Sequence, residues 1–218
     1  MSEDALVQLT NEIKACVACQ LKENRTQVVP GVYGQSNGIC FVGEAPGYYE
    51  DQKGLPFVGR SGKLLDNMLE GIGLERDDVS ILNVIKCRPT TNERGNRTPT
   101  ESELRFCGDR WLFKQLKLLN PRLIVTLGGI ALKFFIPKAK VTKYVGKQHN
   151  TNYGLGIFVT YHPAYILRNY NIMETYNEHF EEIKKTLNST TNETTHIHNT
   201  QSKSKSKQKS LSDFFKSD

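Results

Sequence analysis

Four of the five cysteines in this chain of 218 residues have the types and spacing of metal ligands: Cys16-Val-Ala-Cys19, Cys87 and Cys107. Thiolates bind soft metals, and four of them satisfy either a tetrahedral zinc ion or an iron–sulfur cluster. Spacing does not separate the two, and four ordinary buried thiols is the competing reading. With every position filled by protein no site stays open for a substrate, so the expected role is structural: a staple joining the first helix to the segment after Asn83 and to the helix containing Trp111. Cys40, flanked by Ile39 and Phe41, reads as a core residue. A second group is Glu44, Asn83 and His162, each placed just past an apolar run. Polar side chains at neighbouring strand ends form a pocket in open α/β sheets.

The elements that must position these groups are legible from pattern. Leu6, Leu9 and Ile13 recur at helical spacing over residues 3–15. Strands are expected over 38–43, 79–85, 123–127 and 156–160, the first ending in Gly43. Ser61 can cap a helix with Leu64, Leu65, Met68, Leu69 and Ile72 on its apolar face. Thr100-Glu-Ser-Glu103 has the form of a capping box opening a helix to about Leu119. A short helix should follow Gly128-Gly129, and another should lie near 173–187. Strands alternating with helices imply a parallel sheet covered on both faces.

Hydrophobic residues make up 38% and charged residues 24%, enough for one sizeable core, and the net charge of +6 permits a polyanionic partner. The N-terminus is acidic and amphipathic rather than a secretory signal, and no apolar stretch reaches membrane-spanning length. A cytoplasmic monomer is the expectation. In a reducing compartment the cysteines argue for metal binding over disulfides. Residues 1–188 form the expected domain, 189–207 a disordered Ser/Lys/Thr/Asn-rich linker.

Gly43-Glu-Ala-Pro-Gly47, then Glu50-Asp51, then Pro56-Phe-Val-Gly-Arg-Ser-Gly62 resembles the first motif of the iron–sulfur (family 4) uracil-DNA glycosylases. Asn83-Val-Ile-Lys-Cys-Arg-Pro89 and His162-Pro-Ala-Tyr165 are similar to its other two motifs. The resemblance covers about residues 5–187. It implies a three-layer α/β/α sandwich with a four-stranded parallel sheet, a [4Fe–4S] cluster on Cys16, Cys19, Cys87 and Cys107, and monofunctional hydrolysis of the deoxyuridine N-glycosidic bond in DNA. In that reading Phe57 stacks on the base, Asn83 reads its edge, and His162 donates to O2. Glu44, Ala45 and Pro46 line the pocket, Glu44 counting also among the catalytic residues, while Glu50 and Asn92 are candidates for positioning water. Glu50 is also placed to obstruct a thymine methyl. Arg60, Lys63, Arg88 and Arg168 are phosphate candidates. A non-enzymatic iron–sulfur DNA-binding module is the alternative.

The segment 208–215, Gln-Lys-Ser-Leu-Ser-Asp-Phe-Phe, resembles the sliding-clamp (PCNA) interacting motif. One helical turn would put Leu211, Phe214 and Phe215 on one face, with Gln208 making a polar contact. With the core motifs, this implies an archaeal source.

Overall fold

A computed structural model describes residues 3–34, 38–91, 95–151 and 153–196. Helix α1 (Glu3–Lys14) leads to strand β1 (Ile39–Gly43), α2 (Tyr48–Lys53), α3 (Arg60–Gly71) and β2 (Ser80–Asn83). Next come α4 (Glu101–Cys107), a π turn (Gly108–Leu112), α5 (Phe113–Leu119), β3 (Leu123–Leu127), α6 (Gly129–Phe135) and α7 (Val141–Tyr144). Strands β4 (Gln148–Asn150) and β5 (Gly156–Thr160) precede α8 (Pro163–Arg168) and α9 (Met173–His196).

The sheet order is β2-β1-β3-β5-β4. Strands β1, β2, β3 and β5 are parallel, with Gly43 opposite Asn83 and Leu127 opposite Thr160. Successive residues face opposite layers, as the strand period of two demands. Cys40 and Val42 pack with Leu82, Ile124, Ile157 and Val159 beneath Ile13, Trp111, Leu116 and Phe135. Ile39 and Phe41 face the other way, onto Leu65, Leu69, Ile166, Tyr176 and Phe180. The three layers expected from the sequence are present.

The sheet departs from four parallel strands: it has five, and β4 runs antiparallel to β5 at the edge. Gln148-His149-Asn150 is polar and partly exposed, so it carries none of the apolar signal by which buried strands are read. Helix α3 begins after Gly59, with Ser61 inside it rather than capping it. The Thr100 capping box forms as expected: Glu103 N donates to Thr100 Oγ1 at 3.2 Å, and Thr100 N donates to Glu103 Oε2 at 2.8 Å. The expected continuous helix is instead broken in register by the π turn. Helix α9 continues to His196, past the boundary expected at 188. Once nucleated on Tyr176, Phe180 and Ile183, a helix lengthens by one backbone bond per residue. Asn92 and the segment 197–218, including Gln208, Leu211, Phe214 and Phe215, lie outside the described residues.

The π turn starts at Gly108, where an added Cβ would meet the Phe134 ring at 2.2 Å. In an open helix Gly→Ala stabilises; here the clash reverses the sign. Gly108→Ala is expected to lower stability by roughly 1–3 kcal/mol, measured by urea unfolding.

Candidate active site and cysteine centre

The parallel strands deliver Glu44, Asn83 and His162 to one edge of the sheet, the carboxyl ends of β1, β2 and β5. A cavity of about 310 Å³ opens there, lined by Glu44, Ala45, Pro46, Glu50, Phe57, Asn83 and His162 among others. Every candidate pocket residue in the described chain therefore lines one cavity.

Phe57 forms one wall, stacked on His162 with ring centroids 5.6 Å apart and an interplanar angle of 29°. Its backbone is left-handed, at φ 50°, a conformation unfavourable for a bulky residue. Gly62 makes the turn possible, because a Cβ there would lie 1.7 Å from the Phe57 carbonyl oxygen. Glu50 closes the same loop: its carboxylate accepts from Val58 N at 2.9 Å, Gly59 N at 3.1 Å and Gly47 N at 3.1 Å. The neighbouring Asp51 accepts twice from Thr26 N, at 2.9 and 3.0 Å. Three backbone donors on one carboxylate make Glu50 a brace for the Phe57 loop, although it also borders the cavity.

Asn83 is 2% exposed, and its Oδ1 is buried with no hydrogen-bond partner among the described residues. An orphaned buried acceptor is costly unless a ligand donor completes it. Its main-chain carbonyl accepts from Lys86 Nζ at 2.6 Å. His162 caps α8, its Nδ1 accepting from Ala164 N at 3.1 Å. With Nδ1 an acceptor, the neutral ring carries its proton on Nε2. Burial, then the nearby Arg168 charge, pulls the imidazole from 6.5 down to about 4. Glu44 borders the cavity with its pKa raised by burial, and no hydrogen bond joins its carboxylate to another described residue. The combination is a flat aromatic wall, an unpaired amide oxygen, a neutral imidazole donor and a carboxylate: a site for a planar polar heterocycle.

Arg60, Lys63 and Arg168 are exposed around the site, as phosphate candidates require. Arg88 differs: it is 8% exposed, donates from Nε to Asn96 Oδ1 at 2.6 Å and lies over the Tyr48 ring. Asn96 and Arg97 also line the cavity; nothing in their spacing marked them out.

The four cysteines share one apolar layer, Cys87 and Cys107 buried in it and Cys16 and Cys19 packed against it. All are free thiols, and Cys87 couples electrostatically to Cys16 and Cys19, as Cys107 does to Cys87 and Cys19. N–H donors point at the sulfurs: Arg25 Nη1 to Cys87 at 3.1 Å, Lys86 N to Cys107 at 3.3 Å, Trp111 Nε1 to Cys16 at 3.4 Å. Such donors suit thiolates held on a metal centre. Burial raises the Cys87 pKa and pushes Cys107 up to about 12, so an ionised state there calls for a metal to displace the protons. No three His, Cys, Asp or Glu side chains among the described residues close around a point as a single ion requires. Arg25 and Lys86 were not marked out as partners of this centre, since no local pattern ties them to cysteines distant in sequence.

Residues 30–188 match the model of the Uracil DNA glycosylase superfamily. The chain is 44% identical over 171 residues to a type-4 uracil-DNA glycosylase of Thermotoga maritima, covering 77% of this chain and 86% of that protein. It is 40% identical over 188 residues to one of Archaeoglobus fulgidus, covering 83% and 92%. A Sulfurisphaera tokodaii protein of the same name is 41% identical over 191 residues, covering 84% of each chain.

The depressed His162 pKa carries a sign. Between about 4 and 6.5 the unfolded chain binds a proton that the native ring refuses, so this residue favours unfolding as pH falls through that window. A nitrogen-15 NMR titration should show His162 neutral, protonated on Nε2, at pH 5.5.

Proposed function

From the premise that this chain belongs to the uracil DNA glycosylase superfamily, we infer that its strand-end cavity takes a uracil flipped out of DNA and that its residues hydrolyse the N-glycosidic bond. The protein acts as a uracil-DNA glycosylase, a hydrolase of DNA base-excision repair, releasing uracil and leaving an abasic site. The single observation that carries the assignment of roles is the orphaned Asn83 Oδ1 in the cavity wall.

Uracil presents a donor at N3 and an acceptor at O4, matched by the oxygen and amino group of one amide. Cytosine reverses both, and each unpaired buried polar group costs about 1–3 kcal/mol. Phe57 offers its ring to the base face. As the N1–C1′ bond breaks, the electron pair moves onto uracil and charge collects at O2, where the Nε2–H of neutral His162 donates. A fixed donor aimed at developing charge is among the largest catalytic effects. Water adds to C1′ and gives up a proton. Glu44 is the described group best suited to orient that water and take the proton, because Glu50 is committed to the loop and burial makes Glu44 a stronger base. Asn92 remains a second candidate for this role.

The cysteine centre fits a [4Fe–4S] cluster held by Cys16, Cys19, Cys87 and Cys107. Four cysteines in one layer and three N–H donors to sulfur support this reading over four inert thiols. The cluster supplies a structural bracket. The peptide 208–215 is assigned to a sliding clamp, with Gln208, Leu211, Phe214 and Phe215 in contact, so that a cytoplasmic and archaeal enzyme is brought to replicating DNA.

Iron-loaded protein should convert a uracil-containing oligonucleotide into an alkali-labile product with release of free base. DNA binding without release would instead favour the non-enzymatic module. Asn83→Asp is expected to weaken the preference for uracil over cytosine at least about tenfold, read as the ratio of kcat/KM values. Deleting residues 208–215 should abolish binding to the clamp in surface plasmon resonance and leave base release unchanged.

A further inference from the structure

The rim of the cavity carries aromatic surface that the core does not use. Helix α2 buries only Asp51, yet it opens on Tyr48 and Tyr49, which are 52% and 59% exposed. Scattered exposed apolar groups are ordinary, but two aromatic rings in succession beside a ligand cavity mark a contact surface. The residues flanking the pair, Gly47 and Glu50, both line the cavity. The rings are braced. The Arg88 guanidinium lies over the Tyr48 ring at 5.1 Å, and Tyr48 meets Tyr49 edge to face, with centroids 5.4 Å apart and an interplanar angle of 81°. Tyr49 in turn leans over Gly59, where an added Cβ would sit 3.5 Å from its ring. Arg60 and Lys63 follow Gly59 in the first turn of α3, and both are exposed.

We propose that the Tyr48–Tyr49 pair is a stacking platform for an unpaired base beside the uracil, so that uracil in single-stranded DNA is the substrate this site favours. The inference rests on the uracil reading made above. A base in the cavity stays joined to its neighbours along the strand, so the strand leaves across the rim and brings the next base to it. Tyr49 presents its ring, Tyr48 and Arg88 hold it in place, and Arg60 and Lys63 offer positive charge to the phosphates. Every base has a flat face, so such a platform is indifferent to sequence. In a duplex the neighbouring base is already paired and stacked, and the ring has less to add. A protein is the poorer occupant, because two rings on a six-residue helix fall far short of the area a stable protein interface buries.

The test uses full-length protein purified with its iron, and single-stranded oligonucleotides holding one uracil flanked either by ordinary bases or by baseless tetrahydrofuran spacers. With parent protein the spacers should raise KM roughly tenfold while kcat holds. Tyr49→Ala should raise KM on the ordinary single strand by a similar factor, and the spacers should then add little. Tyr49→Phe keeps the ring and should behave as the parent does. On a fully paired duplex holding the same uracil, Tyr49→Ala should raise KM much less than on the single strand. An unchanged KM for Tyr49→Ala on the single strand, or an equal rise on the duplex, overturns the platform. If Tyr49→Ala does not fold, indifference of the parent to the spacers overturns it equally. A parent dimer in sedimentation that Tyr49→Ala dissociates makes a second copy of the chain the occupant, and overturns it too. Parent protein that releases no uracil from any of these substrates refutes the functional reading instead, and so the two failures are distinguishable.

Discussion

Gly43 and Asn83 face each other at the last parallel pairing of β1 and β2, and the pocket depends on the absence of a side chain at the first. A Cβ on Gly43 would lie 2.4 Å from Asn83 Oδ1 and 2.7 Å from the tip of Phe57. The smallest possible side chain there would push the Asn83 amide and the Phe57 ring apart. The glycine is required by space, not by backbone angle. Around that contact the sheet arranges the rest: β1 carries Glu44, β2 carries Asn83, and β5, two strands over, carries His162.

Polar groups near this edge are divided between building and binding. Glu50 and Asp51 spend their carboxylates on backbone N–H groups, and Arg88 is turned inward onto Asn96 and Tyr48. Asn83 Oδ1, by contrast, has no partner among the described residues. Buried polar atoms are normally satisfied; Gln115 Oε1, Thr126 Oγ1 and Tyr176 OH are also unpartnered among the described residues, but of these four residues Asn83 alone lines the cavity, where a ligand can complete the network. Residues adjacent in one motif thus do unlike work: the glutamate at 44 faces the cavity, while that at 50 holds the loop that shapes it.

The layers and the strand-end residues were legible because buried strands and amphipathic helices leave periodic apolar signals, and because Gly43, Asn83 and His162 each punctuate such a run. The fifth strand was not, since Gln148-His149-Asn150 at an edge need not be apolar. The π turn escaped too: an extra residue in a helical turn follows from tertiary packing around Gly108 and Trp111, not from local propensity. Among the cavity residues, Phe57, Asn83 and His162 are marked out by type and motif, but the bonding of Glu50 is not, because its partners are main-chain groups of a loop whose path the sequence does not state. Arg25 and Lys86 went unmarked for the same reason: their partners are brought near only by the fold.

The left-handed Phe57 has a consequence for how a base is received. A phenylalanine at φ 50° stands on the order of 1 kcal/mol or more above its relaxed backbone, and the Gly62 turn and three bonds to Glu50 hold it there before any ligand arrives. That energy is stored during folding rather than drawn from binding. In the proposed function the wall would therefore act as a rigid gauge instead of a hinge: a base would meet a slot of fixed width, and selection would fall on the bases that fit the slot, not on those able to mould it.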